Sequence, residues 1–504
     1  MKIQFLIPFL IFGTMTFAQS NSQKLDSLFN SLYKNGQING NILVAENGQP
    51  VYKKSFGYSN FETTTLHNEN SIISLASISK TFTAIAILQL KEKGKLKLND
   101  FVVKYLKDFP YTEITIRNLL SHTSGLPDFD IFEAEFTSNP NKIFTNKDIL
   151  PSLNAWKKPL KYKPNEKWSY SNINYNLLAL IVEKVAGIDF QKYIQKNIFI
   201  PANLKNTYFS IDSASLIGKN IAINYCYPFK YSSILQNVDS IERFHWKVFC
   251  LKGLVGEGNI VSTTDDMLKF DKALYSEKLL KSSTISEAFT PTKLQSGDNA
   301  VANIGIGKAS FGLGWFIFDD TTNGKIVWHS GGEPGILTIF LRNLDKKQTV
   351  ILLDNAHSSD IYDNGVNAMN ILNNRPIVKT KQTLTRIYGS TLVDKGIDIG
   401  FVKLQELVDD TLHYSLSEEE MIELGSQLLE AKALKGNNNL ELALEVFKLN
   451  TILFKNSSNA YAWYAYTLAQ VGKKEEAIWL YHKSLRIKPD EQIKSELDEL
   501  LKSK

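Results

Sequence analysis

What the sequence is short of narrows the field first. Of its 504 residues only two are cysteine and seven are histidine. It contains no His-x-His pair and no His-Glu-x-x-His helix, so no metal and no other cofactor is expected. The Gly-x-Ser-x-Gly elbow is also absent, which removes one common way of presenting a nucleophilic serine. Lysine plus arginine number 57 against 52 acidic residues, a net charge of +5 spread along the chain. No basic block stands out, so no nucleic-acid partner is expected. After the N-terminus no apolar run reaches the roughly 18 residues of a spanning helix, so no transmembrane anchor is expected.

Apolar residues make up 43% and charged residues 22% of the chain, the balance of a folded, soluble protein. Its length predicts two or three domains. Lys2, the run Phe5-Leu6-Ile7-Pro8-Phe9-Leu10-Ile11-Phe12 and then Thr16-Phe17-Ala18 read as an export signal cleaved after Ala18. The mature protein is therefore expected in the periplasm or outside the cell. In such an oxidising compartment Cys226 and Cys250 either pair or remain two buried thiols.

Periodicity predicts a helix over 21–35 and a hairpin over 38–58, its strands 41–45 and 51–56 turning at Asn47-Gly48. A buried helix is predicted from Ser77 to Gly94, another from Tyr170 to Gly187. Four strands follow at 311–318, 325–329, 337–342 and 349–353, then a short helix over 365–372. Strands at both ends with helices between them predict an α+β domain, 19–375, whose terminal strands share one antiparallel sheet. A helical connector (376–420) and a helical C-terminal region (421–504) complete the chain. There Ala443 and Phe447 recur as Ala477 and Tyr481, 34 residues on. That period resembles the tetratricopeptide repeat, which implies paired helices and a surface for a protein partner. Two repeats are few, so the segment 380–415 or the α+β domain is expected to complete the stack.

Three short motifs carry the chemistry. Ser77-Ile78-Ser79-Lys80 places a hydroxyl and an amine on one helical face. A serine hydroxyl needs a neighbour to take its proton, and an amine can do so. Alone the pattern is weak, because Ser31-Leu32-Tyr33-Lys34 has the same form on a solvated helix face. Tyr170-Ser171-Asn172 offers a phenol and an amide, although Tyr33, Tyr58 and Tyr362 also have an asparagine two residues on, and Asn172 also reads as a helix cap. His329-Ser330-Gly331-Gly332 ends a predicted strand in small residues, where a substrate can approach backbone N–H groups.

The ordered set Ser-x-x-Lys, Tyr-x-Asn and a late histidine triad resembles the serine β-lactamase and penicillin-binding-protein family, nearest to class C β-lactamases and related D-peptidases and esterases. Residues 114–127, ending Ser121-His122-Thr123-Ser124-Gly125-Leu126-Pro127, and Gly256-Glu257-Gly258-Asn259 with Ser262-Thr263 look like that family too. The resemblance implies a β-lactamase/transpeptidase-like domain, an antiparallel sheet flanked by helices with a helical subdomain. It also implies a serine hydrolase working through an acyl-enzyme on a small-molecule or peptide substrate. Ser77 would be the nucleophile, Lys80 and Tyr170 would share the base role, and Asn172 would orient the substrate. The oxyanion would lie between the N–H groups of Ser77 and Gly332, while His122 would serve structure.

The family usually has lysine where this chain has His329, and a histidine is often neutral at physiological pH. Esterase, amidase or D-amino-acid peptidase activity is therefore expected ahead of β-lactamase or D,D-carboxypeptidase activity. A binding protein working through its helical repeats is the alternative of another class.

Overall fold

The computed structural model describes residues 19–304, 307–356, 361–379, 381–430 and 439–502. The expected export segment, 1–18, lies outside the described residues, as do parts of the expected connector and repeat region.

The two ends of the α+β region meet in one antiparallel sheet. Its strands are β1 (Gly40–Glu46), β2 (Gln49–Phe56), β3 (Val301–Ile304), β4 (Gly307–Phe311), β5 (Phe316–Phe318), β6 (Ile326–Glu333), β7 (Ile336–Asn343) and β8 (Gln348–Asp354). They lie in the order β3-β4-β5-β6-β7-β8-β1-β2. β1 closes on β8 with Leu43 opposite Ile351, so chain segments 308 residues apart share a ladder. Asn47 and Gly48 both take positive φ, +50° and +71°, the turn expected between β1 and β2.

Alternation along the strands divides two apolar layers. Ile42, Val44, Val350, Leu352 and Trp328 face helices α1 (Asn21–Lys34) and, further on, Ile361–Leu372. Leu43, Ala45, Ile351, Leu353 and Val327 face the larger helical layer, whose centre is α2 (Ser79–Glu92) against α3 (Ile173–Ala186). The last helix of this region, α4 (Ile361–Leu372), covers the sheet from the α1 side.

Two expectations need correction. The strand over 311–318 is two strands with a turn between them. Gly314 sits there at φ +90°, where a Cβ would lie 2.6 Å from Ala84 Cβ on α2, so the glycines that break the ladder also let the turn pack on that helix. The strand over 325–329 runs on to Glu333, so His329-Ser330-Gly331-Gly332 lies within β6 and not beyond its end. The cysteines are free and buried. Cys226 packs with Val238 and Ile241, whereas the Cys250 thiol donates to the Pro140 carbonyl at 3.2 Å.

The C-terminal quarter is helical: α5 (Leu384–Lys395), α6 (Ile397–Leu407), α7 (Glu418–Glu430), α8 (Asn439–Leu453), α9 (Ser458–Gln470), α10 (Lys474–Ile487) and α11 (Glu491–Lys502). Ala443, Phe447, Ala477 and Tyr481, the residues of the 34-residue offset, are all buried. This region also leans on the α+β part. Tyr231 is buried among Tyr388, Leu424 and Leu428, Arg386 covers the Tyr227 ring at 3.2 Å, and the Lys230 N–H donates to Gln427 Oε1 at 2.6 Å.

Gly425 is where α7 meets α8. A Cβ there would lie 2.4–2.8 Å from the Phe447 ring, which is fully buried and stacked on Trp463 at 5.5 Å. A ring held on both sides cannot move aside, so Gly425→Ala is expected to cost about 1–3 kcal/mol by overpacking. Thermal unfolding followed by circular dichroism checks this, and an unchanged Tm would show that the helix pair has slack.

Candidate active site

Ser77 lies in the single 3-10 turn Ala76–Ile78 that leads into α2. Ala76 just before it takes φ +44°, a left-handed conformation that costs a non-glycine residue of order 1 kcal/mol. That kink follows directly on a short strand, Ile73–Ser74. Within the Ser-x-x-Lys stretch the two serines differ. Ser79 is buried and its Oγ accepts from the Ile260 N–H at 3.3 Å, while Ser77 is half-buried and reached by Lys80.

Lys80 has no exposed surface. Its Nζ lies 2.9 Å from Ser77 Oγ, 2.8 Å from Asn172 Oδ1 and 2.8 Å from the Glu257 carbonyl oxygen. Two of these partners can only accept. Even an uncharged amine, with two N–H groups, satisfies both and turns its lone pair to the Ser77 hydroxyl. The segment carrying Glu257 is pinned to the same helix, because Thr83 Oγ1 donates to the Gly256 carbonyl at 2.6 Å.

Tyr170 and Asn172 sit just before α3. The Asn172 side chain makes no cap hydrogen bond, so the cap reading of the sequence does not hold. Asp128 holds it instead: Oδ1 accepts from the Asn172 N–H at 3.0 Å and Oδ2 from its Nδ2 at 3.1 Å. With the amide nitrogen committed, Oδ1 must face Lys80. The Tyr170 ring stacks on His122 at 4.3 Å and presents its face to Lys80, 5.0 Å from the ring centroid. His122 is buried at φ +55°, and its Nδ1 accepts from the Ser171 N–H at 3.3 Å and from Asn174 Nδ2 at 3.1 Å. Burial, with Lys80 and His329 adding to it, holds its pKa well below the usual imidazole range. It is a neutral platform under Tyr170.

The fourth wall is β6. Its pairing with β5 stops at Trp328, opposite Phe316, so His329 to Glu333 run on without that neighbour. Gly331 abuts the Ser77 turn: a Cβ there would lie 2.3 Å from the Leu75 carbonyl oxygen and 2.9 Å from Ala76 Cβ. Gly332 is exposed, with Tyr362 Oη 3.8 Å from where its Cβ would be. Ser330, on the same face as Gly332, is the hydroxyl beside that phenol. His329 is buried on the α2 side and donates Nδ1–H to the Ser330 carbonyl at 2.7 Å. Burial first, then Lys80, lowers its pKa to about 3.

All eight residues marked in the sequence thus line one cleft. Four others were not marked for a role. Asp128 follows directly on the Gly125-Leu126-Pro127 stretch, Glu257 lies inside a motif already noticed, and Glu333 follows Gly332. Tyr362 looks in sequence like one more chance Tyr-x-Asn. Nothing in their spacing pointed to the cleft: Asp128, Glu257 and Tyr362 reach it from separate parts of the fold, and Glu333 continues β6 beyond the residues that were marked.

The sequence model of the Beta-lactamase family matches residues 25–367. Penicillin-binding protein 4* of Bacillus subtilis is 36% identical over 352 residues, covering 69% of this chain and 75% of that protein. Protein flp of Staphylococcus aureus is 27% identical over 346 residues, 67% of this chain and 64% of that protein. Among solved structures, a penicillin binding protein from Bacillus halodurans aligns over 69% of this chain and 98% of its own, with a TM-score of 0.57 and 25% identity. The D-amino acid amidase of Ochrobactrum anthropi aligns with a TM-score of 0.56 at 21% identity, covering 69% and 96%, and shares the fold.

Two outcomes are expected from this geometry. Asp128→Ala frees the Asn172 amide to rotate away from Lys80, and acylation of Ser77 by an activated ester should slow roughly 10- to 100-fold; an unchanged stopped-flow rate would show that Asp128 does not position it. Glu333 is pushed up to about 7 by burial and by Glu257, with Lys80 and Ser74 pulling the other way. A carboxyl raised above its unfolded value of about 4.3 contributes stability that is full below that value and lost as pH rises through 7. The Tm of Glu333→Gln relative to the parent should therefore climb between pH 4.5 and pH 8, and a flat difference would count against it.

Proposed function

This chain belongs to the Beta-lactamase family, and from that premise we propose that it is a serine hydrolase in which Ser77 is acylated by an ester or amide and water then releases the acyl group. The observation that carries the reading is the Lys80 amine, 2.9 Å from Ser77 Oγ while its other directions are taken by Asn172 and Glu257.

In the proposed reaction Lys80 takes the hydroxyl proton as Ser77 Oγ bonds to the carbonyl carbon. The negative charge on the carbonyl oxygen is met by the N–H groups of Ser77 and Gly332. Tyr170, beside Lys80, passes the proton to the leaving alcohol or amine. The same groups then activate water against the acyl-enzyme. Asn172 keeps Lys80 aligned and offers its surroundings to the substrate, and Ser330 and Gly331 shape the open edge of β6 along which the substrate lies.

His329 supports ester or amide substrates ahead of β-lactams, since a neutral imidazole gives a substrate carboxylate no permanent cation. The name of the Bacillus subtilis relative supports the competing reading, acylation by penicillin. Export after Ala18 and tetratricopeptide-like pairing of α7 to α11, with a protein partner on that surface, belong to the same proposal. A substrate panel tests it: short-chain nitrophenyl esters, D-alanyl peptides and nitrocefin, beside Ser77→Ala. The parent should take a fluorophosphonate label on Ser77 and turn over the esters faster than nitrocefin. Ser77→Ala should lose both, with a fall of roughly 10³-fold or more. A folded parent that does not label would overturn the reading in favour of a binding protein.

A further inference from the structure

β6 carries Gly332, whose N–H is to meet the oxyanion, on a stretch where its pairing with β5 has already stopped. It turns back into β7 through only two residues, Pro334 and Gly335, with Glu333 opposite Ile336. Two-residue hairpins favour type I′ or II′ turns, whose twist matches that of the strands, and both need a positive φ at the first central residue. Proline fixes that angle negative. Gly335 at φ +78° fits a type II turn, which splays the strands it joins. Such a turn has to be held from outside its own hairpin.

A second hairpin supplies that hold. Gly335 is buried, and a Cβ there would lie 2.8 Å from Val238 Cγ1 and 2.9 Å from Asn224 Cβ and the Tyr225 nitrogen. These residues frame a short ribbon in which Tyr225 pairs with Asn237 and Cys226 with Gln236. Its base is tied to the end of β8, where the Tyr225 N–H donates to the Asn355 carbonyl at 2.8 Å. A ribbon two residues long is not stable alone. Its tip is gripped by the C-terminal helices. Tyr231, 2% exposed, packs among Tyr388 of α5 and Leu424 and Leu428 of α7. The Lys230 N–H donates to Gln427 Oε1 at 2.6 Å, and Lys230 Nζ lies 3.3 Å from Glu423 Oε2. Tyr231 Oη has no hydrogen-bond partner among the described residues, so the ring and not the hydroxyl holds the tip.

We propose that Tyr231 and Val238 are positioning residues for the reaction at Ser77. The C-terminal helices grip the 225–237 ribbon by the Tyr231 ring, the ribbon presses Val238 on Gly335, and the turn held there keeps the Gly332 N–H where the oxyanion forms. This rests on the serine-hydrolase reading above and gives the helical region a part in that reaction. A hydrogen bond to the oxyanion is made only as the carbonyl is attacked, so a displaced Gly332 N–H slows acylation and leaves substrate binding unchanged.

The full-length protein is mixed with a short-chain nitrophenyl ester by stopped flow, and the nitrophenolate released is resolved into an acylation rate and a substrate dissociation constant. Tyr231→Ala and Val238→Ala should each acylate roughly 10-fold more slowly at an unchanged dissociation constant, while Tyr231→Phe, which keeps the ring, should restore the parental rate. The double alanine variant should lose no more than the slower single one, because the two residues act in one chain of contacts. Leu497→Ala, in the core shared by α9, α10 and α11, should lower the Tm and leave the rate alone. Val238→Ala carries the test where circular dichroism shows Tyr231→Ala unfolded. A parental rate in a folded alanine variant, a change confined to the dissociation constant, a slow Tyr231→Phe, a roughly 100-fold loss in the double variant or an equal slowing in Leu497→Ala would overturn this inference and leave the hydrolase standing. A folded parent that neither releases nitrophenolate nor takes a fluorophosphonate label would overturn both.

Discussion

A lysine amine without solvent has to be given hydrogen-bond partners by the protein, and the cleft is organised around that need at Lys80. An amine left unpaired in the interior would cost several kcal/mol. Here one partner comes from the turn that leads into its own helix, one from the start of α3 and one from the segment before Ile260. Two of these partners are themselves held. Asp128 fixes the Asn172 amide, and Thr83 fixes the Gly256 carbonyl. The burial that makes the amine expensive also keeps it against Ser77, so stability and chemistry draw on the same contacts.

The same economy explains His122 and His329. Both are buried close to Lys80, and a second positive charge there would be opposed by desolvation and by the amine itself. Each is kept neutral and given a local task. His122 lies under the Tyr170 ring and accepts from the backbone that follows it. His329 secures the carbonyl of Ser330 at the start of the unpaired edge of β6. With its histidines neutral, the cleft has the Lys80 amine at its centre and carboxylates around it, an arrangement set by burial more than by composition.

Much of the scaffold was legible because it is local. The Asn-Gly turn between β1 and β2, the glycine after α3 and the short continuous apolar runs of β7 and β8 all act within a few residues, so their pattern predicts the element. The errors were equally physical. Residues 311–318 look like one strand because phenylalanine and tryptophan suit a ladder, yet Gly314 is there to meet Ala84 on a helix far earlier in the chain. Asn172 looks like a cap because asparagines at that position usually are, yet Asp128 turns its amide elsewhere.

The sequence by itself determined which reactive groups the chain carries and in what order. A serine three residues before a lysine, a later Tyr-x-Asn and a histidine triad on a late strand are covalent facts, and their order is readable without coordinates. Tertiary structure alone decided how those groups meet: that Ser77 and not Ser79 faces the cleft, that Lys80 has two fixed acceptors and one reversible partner, and that Asp128, Glu257, Glu333 and Tyr362 belong to the site. The reason lies in range. Periodicity and turn chemistry act between neighbours, whereas hydrogen bonds and charges act across a few ångströms of space, and only the closure of β1 on β8 and of α2 on α3 brings those residues within reach.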